Sequence, residues 1–245
     1  MLEVRGLHKS FGGFAAISGV DLAVDRRQIF AVIGPNGAGK TTLFNLVTGH
    51  LRPNAGQVML DGRDITGMAP HRLCALGMGR SFQRANIFPR LSVFENVQAA
   101  VIAHRRRGRD FWSRSAGLYR AETEALLRDV NLIDAAHTDG GTLSHGDQKQ
   151  LELGIALAGE PDILLLDEPT AGMSAGETRG AIELLRRIAA ARELTLLFTE
   201  HDMEAVFSIA QRVAVLHQGS IIAVGAPGEI RANPEVRRVY LGERH

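Results

Sequence analysis

With 245 residues, 45% of them hydrophobic and 22% charged, the chain is long enough to bury a substantial core and too apolar to remain disordered. Its 28 basic and 27 acidic side chains leave a formal net charge of +1, so no global field recruits nucleic acid and any basic partner site has to be local. A single cysteine, Cys74, rules out an intramolecular disulfide, no apolar run approaches a spanning helix, and the charged, alternating start MLEVRGLHK lacks a signal-peptide core, so the expectation is a chain in water on the cytosolic side.

Residues 2–7 and 20–24 alternate apolar with polar positions, as half-buried strands do, and Gly12-Gly13 punctuates the stretch between them, which predicts a small antiparallel sheet. The apolar run 28–33 ends in Gly34-Pro35-Asn36-Gly37, after which 41–48 resumes at helical spacing: strand, glycine loop, helix. Between 82 and 158 strand-like runs vanish, and 95–103 and 121–130 read as helices of an insertion. Further apolar strands at 163–166, 195–198 and 212–216 alternate with helical stretches at 180–191 and 203–210, which predicts a largely parallel sheet covered on both faces. No internal repeat and no low-complexity tract is present.

Gly34-Pro35-Asn36-Gly37-Ala38-Gly39-Lys40-Thr41 fits G-x-x-x-x-G-K-[ST] in the context that the pattern requires, a strand before and a helix after. A triphosphate crowds negative oxygens into a small space, and exposed N–H groups at a helix N-terminus meet them with little desolvation of side chains. Gly37 and Gly39 let the backbone come close, Lys40 reaches the β and γ phosphates, and the Thr41 hydroxyl is placed for magnesium; Thr42 completes the set of nucleotide contacts. The run Ile163-Leu164-Leu165-Leu166-Asp167-Glu168 puts two carboxylates at the C-terminal end of a buried strand, where ligands of open α/β sheets gather. Asp167 can hold magnesium, directly or through water, and Glu168 can orient or deprotonate an attacking water that lies within hydrogen-bond reach. Ser144 and Asp147 fit a capping box that opens a helix over the apolar-periodic stretch 151–158.

Leu143-Ser144-His145-Gly146-Asp147-Gln148, placed just upstream of the Asp-Glu strand, resembles the signature motif of ABC ATPases. The resemblance covers nearly the whole chain, through several motifs in the family's order and spacing. It implies an α/β fold, a P-loop NTPase (ABC ATPase) core with an N-terminal antiparallel β subdomain and an inserted helical subdomain, divided at 1–81, 82–158 and 159–245. It also implies ATP and Mg2+ as cofactors and a head-to-tail dimer, with itself or a paralogous ATPase subunit. In that dimer Ser144 and Gly146 of one chain close on the γ phosphate held by the glycine loop of the other. His145 stands where the family has glycine, and Asp147 where it commonly has glutamine. By the same resemblance Gln83 is the Q-loop amide for magnesium or the lytic water, and His201 is the switch histidine at the γ phosphate. Phe11 is similar to the aromatic that stacks on adenine, with Phe14 close enough to compete. Residues 171–174 take the place of the loop that crosses to the partner, with Ser174 where many relatives have aspartate.

Three details, Arg80-Ser81-Phe82-Gln83 followed by Ile87-Phe88, Glu200-His201-Asp202-Met203, and the ending Val239-Tyr240-Leu241-Gly242-Glu243, resemble the ATPase subunits of branched-chain amino-acid importers. The resemblance implies an ATP-hydrolysing subunit at the cytoplasmic face of the inner membrane, peripheral through transmembrane permease subunits and acting indirectly with a periplasmic or extracellular substrate-binding protein. Ile87, Phe88 and Leu91 are candidate docking apolars for a permease helix. Urea or amide import and lipopolysaccharide export remain as alternative cargoes, and a soluble non-transport ABC ATPase as a different class. The segment 104–114 carries Arg105, Arg106, Arg107, Arg109 and Arg114 against Asp110, beside Phe111 and Trp112; it reads as a solvated loop or as a contact for permease loops or anionic headgroups.

Overall fold

A computed structural model describes residues 1–80, 87–105 and 117–241 of the chain. In chain order the strands are β1 (Leu2–Phe11), β2 (Phe14–Val24), β3 (Ile29–Ile33), β4 (Ala55–Leu60), β5 (Arg63–Asp64), β6 (Met78–Arg80), β7 (Ile163–Asp167), β8 (Thr195–Glu200), β9 (Arg212–His217) and β10 (Ser220–Gly225). The α-helices are α1 (Lys40–Val47), α2 (Pro70–Cys74), α3 (Val93–His104), α4 (Arg120–Asp129), α5 (His145–Leu157), α6 (Ala175–Ala191), α7 (Met203–Ile209), α8 (Pro227–Ala232) and α9 (Pro234–Leu241).

Two sheets form. The first, in the order β2-β1-β4-β5, is antiparallel, as the alternating N-terminal segments predict. The second, in the order β10-β9-β3-β8-β7-β6, is parallel except for β10 at its edge. Every residue of β3, β7 and β8 is buried, which is why these strands read as unbroken apolar runs and not as alternation. Their side chains divide between two cores by the two-residue period of a strand. Ile29, Ala31, Ile33, Leu164, Leu166, Leu196 and Phe198 pack with α3 to α7. Phe30, Val32, Ile163, Leu165 and Leu197 pack with α1 and the first sheet.

In the stretch expected to be an insertion, the described residues carry α3, α4 and α5 and no strand. Helix α3 starts two residues earlier than the periodicity places it, because Ser92 and Glu95 form a reciprocal capping box. Helix α6 begins five residues before the apolar pattern resumes at 180, for the same reason: the Ser174 side chain accepts from the Glu177 N–H while Glu177 reaches back to the Ser174 N–H. Among the described residues no helix is long and apolar enough to cross a membrane.

Candidate nucleotide-binding site

The buried strand β3 ends at Ile33, the loop 34–39 follows, and α1 starts at Lys40. A Cβ on Gly34 would lie 2.3 Å from the Leu216 carbonyl oxygen, and one on Gly39, whose φ is 107°, would lie 2.6 Å from the Ala16 carbonyl oxygen. The loop is thus held between β9 and β2 at a spacing that side chains at these two positions would break. Helix α1 has no side-chain cap and no acidic residue in its first turn, so its positive dipole end faces the cleft. Lys40 is 6% exposed, and its ammonium donates to the carbonyls of Gly34 (2.7 Å) and Pro35 (3.3 Å). One open cleft is lined by Phe14, Ala16, residues 36–42 and Glu168, so the predicted Asn36, Gly37, Ala38, Gly39, Lys40, Thr41 and Thr42 converge with the predicted base.

Asp167 ends β7 with its side chain buried at 0% exposure, opposite Thr199 in the parallel register. Its Oδ1 accepts a 2.7 Å bond from the Thr199 hydroxyl. Its Oδ2 is buried with no hydrogen-bond partner among the described residues and lies 3.8 Å from the Arg80 guanidinium. A buried carboxylate oxygen with spare acceptor capacity, together with the Thr41 hydroxyl in the neighbouring cleft, is a donor set that fits a hard divalent cation held mostly by phosphate oxygens and water. No cluster of three or more His, Cys, Asp or Glu side chains that could hold a metal ion exists among the described residues.

Glu168 adopts a left-handed backbone, φ 51°, uncommon for a non-glycine residue. The Thr199 carbonyl and hydroxyl oxygens both accept from its N–H, at 3.2 and 3.0 Å, and fix the direction in which its carboxylate leaves the strand. One residue on, the wholly buried Glu200 carboxylate accepts from the Thr170 N–H (2.8 Å), the Thr170 hydroxyl (2.6 Å) and the His201 N–H (3.2 Å). The His201 imidazole is 59% exposed, with Nδ1 3.8 Å from Glu200. Thr199 and Thr170 stand in no motif read from the sequence, and Arg80 and Glu200 stand there only as members of family-like stretches; the contacts of these four residues arise where adjacent strands of the sheet end together.

Other predicted residues stand apart from the cleft lining. Phe11 and Phe14 are direct register partners at the hairpin tip; Phe14 lines the cleft, whereas the Lys9 ammonium sits 5.2 Å from the ring centre of Phe11. Ser144 caps α5 by accepting from the Asp147 N–H at 3.1 Å, but the expected capping box is only half formed. Instead of reaching back to the backbone, the short Asp147 side chain accepts a 2.8 Å hydrogen bond from the Ser144 hydroxyl. His145 meets the Ala171 carbonyl oxygen at 3.1 Å, and Gly146 lies beside Glu177, so the signature residues sit against the 171–174 turn and not in the cleft of their own chain. Gln83 and the residues Arg106, Arg107, Arg109, Phe111, Trp112 and Arg114 lie outside the described residues. Arg105 pairs with Glu122 (2.9 Å) and Glu160 (2.8 Å), which cancels its share of the expected basic patch. Of the docking apolars, Phe88 is 60% exposed, while Ile87 packs against the core.

Residues 17–171 match the ABC transporter family, and residues 220–245 match the family described as branched-chain amino acid ATP-binding cassette transporter. The chain is 40% identical to the high-affinity branched-chain amino acid transport ATP-binding protein BraF of Pseudomonas aeruginosa, over 99% of this chain and 98% of that one. It is 36% identical to LivG of Escherichia coli K12, a protein of the same description, over 99% and 98%. The lipopolysaccharide export system ATP-binding protein LptB of Haemophilus influenzae is 34% identical over 100% and 98%. A crystal structure of the ADP conformation of an ATP-binding cassette of an ABC transporter superposes with a TM-score of 0.88 at 29% identity, covering 99% of both chains. Glycine loop, carboxylate pair, fold and relatives converge: the chain belongs to the ABC transporter family and has the fold of its ATP-binding cassettes.

Proposed function

We propose that this chain is the ATP-hydrolysing subunit of a membrane importer for branched-chain or similar hydrophobic amino acids. The observation that carries the catalytic part is the convergence of Lys40, the α1 N-terminus and Glu168 on one cleft, with the buried Asp167 adjacent to Glu168 in the chain. Phosphoryl transfer leaves a protein little covalent work, so positioning and charge stabilisation dominate. On binding ATP, Lys40 exchanges two neutral carbonyl acceptors for phosphate oxygens. Asp167 and Thr41 would hold Mg2+, which when bound neutralises charge on the β and γ oxygens. Glu168, aimed by the Thr199 contacts, orients the attacking water and takes its proton, and His201 faces the γ phosphate.

Because Ser144 and Gly146 do not line the cleft of their own chain, we assign them to the nucleotide of a second subunit, itself or a paralogue, in a head-to-tail pair. Transport then requires permease subunits, which place the chain at the cytoplasmic face of the membrane, and a substrate-binding protein that delivers cargo. The match of residues 220–245 and the descriptions of BraF and LivG support amino-acid cargo. Lipopolysaccharide export, the work named for the relative LptB, is the second reading.

Phosphate release by the purified chain with Mg2+, alone and with its permeases, tests the enzyme. Glu168→Gln is expected to keep ATP binding and stall turnover with a nucleotide-bound dimer accumulating; turnover at the parental rate would remove Glu168 as the base. Uptake of labelled leucine, against urea, by vesicles containing the co-purified permeases tests the cargo.

A further inference from the structure

Arg80 closes the edge strand β6 and is paired in register with Leu165, so the two-residue period puts its side chain on the same face of the sheet as Asp167. That face packs against α1. The guanidinium is only 10% exposed. One of its nitrogens donates to Asn45 Oδ1 at 2.8 Å and to the Thr48 hydroxyl at 2.6 Å, both presented by the end of α1, and it lies 3.2 Å from His50 Nδ1. The Thr48 hydroxyl spends its own proton on the Phe44 carbonyl (2.6 Å), which leaves its lone pairs for the guanidinium. The other terminal nitrogen points at Asp167 Oδ2, but at 3.8 Å the contact is an ion pair without a hydrogen bond.

This arrangement is unusual for a merely structural arginine. The nitrogen that faces α1 donates to neutral groups on the helix that begins with Lys40, while the other terminal nitrogen is aimed at Asp167 Oδ2, a buried carboxylate oxygen that lacks a hydrogen-bond partner among the described residues. A bidentate Arg–carboxylate pair would saturate Asp167 and compete with any cation for its lone pairs. Held back by Asn45 and Thr48, the guanidinium balances the carboxylate charge and leaves its lone pairs open.

Resting on the reading of this cleft as an ATP site, we propose that Arg80 is a positioning residue that sets how tightly a divalent cation is held at Asp167. Its positive charge fixes the carboxylate in place and at the same time opposes an incoming cation, so the site binds metal with nucleotide and releases it with product.

The test is the ratio of nucleotide affinities with and without Mg2+, measured by fluorescence titration of the full chain with a trinitrophenyl-ATP probe in magnesium or in EDTA. Arg80→Gln removes the charge and keeps a polar group within reach of Asn45 and Thr48. It is expected to leave the affinity in EDTA unchanged and to raise the magnesium enhancement, on the order of tenfold. Arg80→Lys keeps the charge and is expected to keep the parental enhancement. Should Arg80→Gln fail to fold, Asn45→Asp supplies the guanidinium with a competing carboxylate in an isosteric side chain and is expected to raise the enhancement in the same direction. An unchanged or lowered enhancement in the folded variant overturns the proposal, because a scaffold role weakens binding in EDTA and in magnesium alike. If the parental chain itself bound no nucleotide, the assignment of the cleft would fail first and Arg80 with it.

Discussion

Replacing Thr199 by valine is the sharpest single perturbation of the strand-end geometry. The side chain is fully buried, so valine fills the same volume and exchanges only the hydroxyl for a methyl. Two bonds are lost: the 2.7 Å donation to Asp167 Oδ1 and the 3.0 Å acceptance from the Glu168 N–H. The first is charge-assisted and worth about 1.5–3 kcal/mol, and the second about 1 kcal/mol, partly retained because the Thr199 carbonyl still accepts from the same N–H at 3.2 Å. A destabilisation of about 3 kcal/mol is expected; with an m-value of about 3 kcal/mol per molar it moves the urea midpoint down by about 1 M. Turnover falls as well. The left-handed backbone of Glu168 costs about 1–2 kcal/mol and loses half of its anchor, so the aligned carboxylate becomes a minority state and phosphate release drops about tenfold. Thr199→Ser keeps the hydroxyl and should retain most of both quantities. An unchanged midpoint for Thr199→Val, or a serine variant as impaired as the valine one, would refute the argument that this hydroxyl organises both carboxylates.

Three further outcomes follow from the same geometry. Gly34→Ala drives a Cβ to 2.3 Å from a backbone oxygen, so the loop or β9 has to shift; a lower melting temperature and at least about tenfold weaker nucleotide binding are expected by calorimetry and titration. Gly146→Ala meets only the tip of Glu177 at 3.4 Å, so the monomer should melt as the parent does, while phosphate release falls about tenfold or more if this backbone clamps a second subunit's phosphate. His50 is held below the imidazole's ordinary value of 6.5 by partial burial and then by Arg80, so the unfolded chain takes up a proton that the folded chain resists. Stability is therefore full above pH 6.5 and declines as pH falls towards the folded-state value; His50→Gln should flatten this decline in urea midpoints measured at pH 7.5, 6.5 and 5.5, and an unaltered pH slope would count against it.

What the sequence disclosed and what it withheld divide along a physical line. The glycine loop, Lys40 and the pair Asp167-Glu168 were legible because each is a local pattern whose neighbours determine its shape: a buried strand, a turn that tolerates no side chain at Gly34 or Gly39, and a helix start. The strand β6 was not legible, since Met78-Gly79-Arg80 is too short to alternate and is defined only by its pairing with β7. The start of α6 was hidden because Gly176 and Gly180 mask a helical pattern that the Ser174–Glu177 box nevertheless nucleates. The contacts of Thr199 and Glu200 were not legible, although Glu200 opens a recognised stretch; the parallel ladder sets Thr199 against Asp167, and the chain then carries Glu200 to Thr170.

The same contacts determine what binding has to undo. Lys40 is already satisfied by two loop carbonyls and the Ser144 hydroxyl by Asp147, whereas Asp167 has its Oδ1 bonded to Thr199 and its Oδ2 without a hydrogen-bond partner among the described residues. On the proposed reading Lys40 and Ser144 enter the reaction by exchanging one partner for another, and the net gain is the difference between the old acceptor and a phosphate oxygen, not the full strength of the new bond. For Lys40 the exchange is favourable, because carbonyls at 2.7 and 3.3 Å give way to charged oxygens around a largely buried ammonium. For Ser144 the balance is closer. Its proton has to leave a carboxylate at 2.8 Å, and that carboxylate stays at a helix N-terminus where the proposed partner nucleotide brings more negative charge. On the proposed reading, a loop that binds firmly on one chain and a clamp that closes reluctantly from the other are the combination in which closure depends on the loss or gain of a single phosphoryl group.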